Sequence, residues 1–120
     1  MLTIHNDAEL EAILPLIEQN KNGRIKTTHI GLRKDGGDWK WLDWGQKKFS
    51  GELEDLTWTE TGPGLKGKRC AQMFEDENGE MKLKGIKCSS KKAKRSYICK
   101  EQKYKYVSIR KSWDKAEQYC

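Results

Sequence analysis

The residues able to do chemistry in this chain are few, and most of them are cationic. His5 and His29 are the only side chains that titrate near neutrality, and neither has a nucleophile beside it in sequence. Carboxylate pairs such as Glu75 and Glu77 lie around a tight turn, exposed, where no apolar wall can move a pKa toward acid–base work. Cys70, Cys88, Cys99 and Cys120 are too far apart for a local metal site. Two disulfides are therefore expected in place of buried free thiols, and with them an oxidising compartment. No catalytic residue is assigned, and an enzyme is not expected. What remains is charge. Basic residues concentrate at Lys66 to Arg69, Lys82 to Lys87 and Lys91 to Arg95, against acidic runs at Glu52 to Asp55 and Glu75 to Glu80. A net charge of +6 favours anionic partners without naming one.

The elements that must position these groups fit one domain, residues 1–120. Hydrophobic and charged residues each make up 35%, so the core has to be compact, and five Trp and four Tyr must fill it. Asn6 or Asp7 caps a helix through Ala8, Leu10, Ile13, Leu14 and Ile17, with Pro15 kinking or ending it. Thr27 to Leu32 reads as a strand. Asp35-Gly36-Gly37-Asp38 turns into Trp39 to Trp44, where alternation puts Trp39 and Trp41 on one face. From Gly45 to Lys68 only Leu56-Thr57-Trp58 looks regular, which makes this a long loop of the kind that carries function. Cys70 to Phe74 and Met81 to Ile86 flank the turn at Asp76-Glu77-Asn78-Gly79, and strands follow at Ser96 to Cys99 and Tyr104 to Ile109. Ser112 opens a last helix with Trp113, Ala116 and Cys120 on one face. The expectation is an α+β fold of two helices, roughly six short antiparallel strands and one long irregular loop. No stretch approaches the ~18 apolar residues of a membrane span. No signal peptide precedes the folded-looking segment at Met1, which is expected of a mature or engineered chain, or one without its export signal.

The last helix expects a continuation, and the natural one lies at the other terminus. Joined in that order, S-W-x-x-A-x-x-x-C of Ser112 to Cys120 and L-x-T-I-x-N-x-x-E from Leu2 resemble the opening of the C-type lectin-like domain. His29-Ile30-Gly31-Leu32 resembles the family's W-I-G-L, with His for Trp. Trp39 to Trp44 resembles W-x-W-x-D-G, with Trp44 for Gly, and Tyr97-Ile98-Cys99 matches the closing Y-I-C. The resemblance spans the whole chain in circularly permuted order. It implies disulfides Cys70–Cys88 and Cys99–Cys120. It also implies that Lys100 to Lys103 join the family's last and first strands as a hairpin, because those strands lie side by side. His29 then takes a core-facing position.

Sugar-binding relatives hold calcium with acid or amide side chains flanking a cis-Pro and with a W-N-D motif. The matching positions here are Gly62-Pro63-Gly64 and Leu83-Lys84-Gly85, which lack those oxygens. Glu52, Glu54 and Asp55 suit solvation or ion pairing better than an auxiliary calcium site, and Lys100 stands where many relatives carry an acid. The reading is a calcium-independent recognition module, secreted or extracellular, with no cofactor and no metal. It favours acidic or sulfated glycans through Trp58 as a stacking platform and Lys66, Lys68, Arg69, Lys82 and Lys84 as cations. The Lys84 ammonium is expected near the family's calcium position, or else exposed on an edge strand. The alternatives are a protein ligand or a basic binder of anionic surfaces. Nucleic acid is not expected, because aromatic residues do not interleave with the charge.

Overall fold

The computed structural model describes residues 1–42, 56–59, 65–100 and 104–120. Asn6 caps the first helix, α1 (Asp7–Ile13), by accepting a hydrogen bond from the Glu9 N–H at 2.9 Å. Glu9 reaches back to accept from the His5 N–H at 2.7 Å, so the cap is reciprocal. Pro15 enters a single 3-10 turn at Leu14–Leu16 and ends the helix there.

Among the described residues seven strands form one sheet: β1 (Thr28–Asp35), β2 (Asp38–Trp41), β3 (Leu56–Trp58), β4 (Cys70–Glu75), β5 (Met81–Ile86), β6 (Arg95–Lys100) and β7 (Tyr104–Lys111). Their order is β3-β5-β4-β1-β6-β7, with β2 paired to the far half of β1. The hairpins β1–β2, β4–β5 and β6–β7 are antiparallel, as is β1–β4. Two pairs, β1–β6 and β3–β5, run parallel, so the sheet is mixed where antiparallel pairing alone was expected. Sequence neighbours joined by short turns must reverse direction, whereas these two pairs are separated by long excursions that permit either sense.

Side chains alternate across the sheet and build a core on each face. Ile30, Leu32, Trp41, Ala71, Met73, Leu83 and Ile98 pack with Leu10 and Ile13 of α1. On the other face Cys70, Ile86, Tyr97, Cys99 and Val107 pack with Trp113 and Ala116 of the second helix, α2 (Trp113–Tyr119). Trp113 also donates its indole N–H to the Ile30 carbonyl at 2.9 Å. Leu2 is wholly buried between strands, donating to Ile98 O at 2.9 Å and accepting from Gly31 N–H at 2.6 Å. Only glycine fits opposite it, since a Cβ on residue 31 would lie 2.9 Å from Leu2 O. Two disulfides close the structure: Cys70–Cys88 ties the start of β4 to the end of β5, and Cys99–Cys120 ties β6 to the end of α2.

Candidate functional site

Three cations meet where the β1–β2 hairpin approaches the segment leading into β4. Lys34, Lys68 and Arg69, with Leu65 and the glycines of both loops, line a cavity of ≈ 370 Å³. Gly36 and Gly37 hold φ of 61° and 97° in the hairpin tip, and Gly67 holds 76° in the facing turn. Backbone bonds fix the approach. Lys34 N–H donates to Arg69 O at 2.8 Å, and the Arg69 guanidinium donates to Lys34 O at 3.4 Å. No carboxylate is among the described residues lining this cavity, and the nearest acids in sequence, Asp35 and Asp38, close the same hairpin.

The structure divides the six residues expected to bind ligand. Lys68 and Arg69 stand together in this cavity, and Lys66 is exposed beside it in the same turn. Lys82 lies elsewhere. Its ammonium is 3.0 Å from Thr57 Oγ1 and 3.0 Å from the Glu80 carboxylate, in a groove of ≈ 520 Å³ beside Leu10 and Leu14. Trp58 is half-buried on β3 with its ring 4.6 Å from that of Trp39. Lys84 is exposed, but β5 alternation points it to the face opposite Gly85, and Leu65 and Lys68 cover Gly85. Lys84 is the cross-strand partner of Gln72 and belongs to the face that carries α2. β5 is flanked by β4 and, along Met81–Leu83, by β3, so it is not an edge strand over that stretch. Lys34 was not singled out from the sequence, because a lone lysine at a hairpin carries no local signal of what it faces.

The positions that the resemblance sets against the calcium motif carry no side-chain oxygen. Leu83 is fully buried in the core, Lys84 brings an ammonium, and Gly85 has no side chain. A Cβ at Gly85 would come within 2.5 Å of Leu65 Cδ2, so a ligating residue there would need the Leu65 side chain to turn aside. Gly62-Pro63-Gly64, Glu52, Glu54 and Asp55 lie outside the described residues. Among the described residues, Cys70, Cys88 and Asp114 form the one cluster with metal-ligand chemistry, and its two sulfurs are spent in a disulfide.

His29 is buried without exposure, and its place between strands is structural. Its Nε2–H donates to Lys111 O at 2.6 Å, and Nδ1 accepts from the Gln72 amide at 3.4 Å. Burial pulls its pKa down to about 4, with the nearby Arg95 charge adding to the effect against the bond to Lys111. It is neutral at physiological pH, and neither of its described partners is a nucleophile.

The described residues thus form a mixed sheet between two short helices, stapled by two disulfides. A model of the lectin C-type domain matches residues 1–101, and the chain belongs to that family. No curated protein and no solved structure matches it. Among the described residues no helix is long and apolar enough to cross a membrane.

Proposed function

We propose that the protein is a non-enzymatic, extracellular recognition module that binds acidic or sulfated glycans without a primary calcium ion. The observation that carries this reading is the cavity of Lys34, Lys68 and Arg69, which concentrates three cations with no lining carboxylate among the described residues. Sulfates and carboxylates on a sugar are fixed anions with several acceptor oxygens, and ammonium and guanidinium groups meet them with charge-assisted hydrogen bonds. The lack of oxygen ligands at Leu83, Lys84 and Gly85 supports a metal-free mode. The two disulfides support an oxidising location.

The circular order belongs to the same proposal. β6 and β7 form a hairpin in register from Tyr97↔Val107 to Lys100↔Tyr104, and the Met1 ammonium lies 3.6 Å from Glu117 of α2. The family match ends at residue 101, before β7 and α2, as a linear match would if these elements belonged ahead of Met1. In calorimetric titration with a sulfated disaccharide, Lys68→Glu and Arg69→Glu should each weaken binding about tenfold, by opposing the charge that holds the anion. Unchanged affinity in both variants would remove this cavity from consideration.

A further inference from the structure

We infer that the protein carries a second binding groove for sulfated oligosaccharides, built where the turn after β5 meets the end of β7 and the start of α2. The groove has a volume of ≈ 380 Å³, within the range of roughly 300–1,000 Å³ common to small-ligand sites. Lys91 and Lys94 form one wall, and Arg110, Lys111 and Lys115 form the other. Asp114 is the single carboxylate among the described lining residues, so five cations face one anion. Among the described residues, Lys91, Lys94, Arg110 and Lys115 have no acidic partner within ion-pair distance. The Lys111 ammonium leans over the Tyr119 ring at 4.9 Å from its centroid. Ser89 and Ser112 add hydroxyls to the lining.

The groove differs from a scatter of surface lysines because buried polar groups hold its two walls at a fixed spacing. Gln72 donates to the Ala93 carbonyl at 2.9 Å, inside the turn that carries Lys91 and Lys94. His29, 3.4 Å from the same Gln72 amide, holds the Lys111 carbonyl on the opposite wall. Asp114 N–H donates to Cys88 O at 3.0 Å, and Cys88 is anchored by its disulfide to Cys70. The backbone of both walls is thus tied to one buried pair, so the ordering that a ligand demands falls on the exposed cationic side chains and not on the chain that carries them. Lys84, beside Gln72 on this face, extends the positive field.

A sulfated sugar suits this arrangement. Its charges are permanent and closely spaced, and each sulfate offers three acceptor oxygens to cations arriving from both walls. Single-stranded nucleic acid suits it less, since none of the described lining residues is aromatic and none offers a base a ring to stack on.

The test is calorimetric titration with a heparin-derived tetrasaccharide and with the same tetrasaccharide after desulfation, on the intact disulfide-bonded protein. Lys94→Glu and Lys115→Glu should each weaken binding about tenfold more than Lys21→Glu, an exposed charge outside the groove's lining. In the double variant Lys94→Glu with Lys68→Glu each site should be weakened only by its own single effect, as expected of independent sites, and a loss equal to the product of the two single losses would mean one shared site and overturn the second groove. Thermal melts of each variant confirm that it is folded, and Lys94→Gln separates loss of a cation from gain of an anion. Losses at Lys94 and Lys115 no larger than at Lys21 would overturn the groove. If only Lys68→Glu abolishes binding, the first cavity stands and this one falls. Equal binding of the desulfated sugar would overturn the ligand class.

Discussion

His29 shows how a polar residue in a core strand is accommodated by long-range partners. An imidazole buried at this depth is tolerated because its two nitrogens are matched, one as donor to Lys111 O and one as acceptor from Gln72. Protonation would set Nδ1–H against the Gln72 amide donor and add a charge near Arg95. The folded pKa of about 4 lies below the ordinary value of 6.5, so the unfolded chain binds the proton more readily. Stability from this group is complete above pH 6.5 and is lost as the pH falls toward 4, by roughly 3 kcal/mol for a shift of this size. Urea denaturation across that window should show the loss in the parent protein. His29→Gln keeps a neutral donor and should flatten the slope, at some cost in stability at pH 7; an undiminished slope would mean that other groups titrate. In the sequence His29 was legible as core-facing through its W-I-G-L-like setting. Its partners were not, because Lys111 lies 82 positions away.

At the scale of elements, local chemistry was readable and long-range juxtaposition was not. The Asn6 cap, the break at Pro15 and the hairpins at Asp35–Asp38 and Asp76–Gly79 each follow from residues next to one another. The parallel pairs β1–β6 and β3–β5, and the meeting of Lys34 with Lys68 and Arg69, depend on how distant strands are ordered. Lys82 went to another groove because Thr57 and Glu80 flank it across β3 and before β5. α2 has seven residues, too few to be stable alone, and rests on the Trp113 and Ala116 contacts and on Cys99–Cys120. Replacing Cys99 and Cys120 together by Ala should destabilise the protein by roughly 3 kcal/mol. Guanidinium unfolding measures this, and a variant as stable as the parent would show that α2 is held by packing alone. Peptide mapping without reduction should recover Cys70 with Cys88 and Cys99 with Cys120.

At the scale of the whole molecule, part of the positive charge gathers in two cation-lined concavities among the described residues of a disulfide-stapled scaffold. The proposed circular order makes a demanding prediction about connectivity. A chain opened near Gln102, with a short linker from Cys120 to Met1, should fold oxidatively to the same disulfides and give an equivalent circular dichroism spectrum. Failure of that chain where the present one succeeds would contradict the order. Recognition without calcium is the central claim, and binding of a sulfated heparin oligosaccharide in millimolar calcium, and again in chelator, tests it most directly. The account predicts the same affinity in both conditions, a steady loss of affinity with rising salt, and no increase in melting temperature when calcium is added. Binding that appears only with calcium, or a clear calcium-dependent rise in melting temperature, would contradict it.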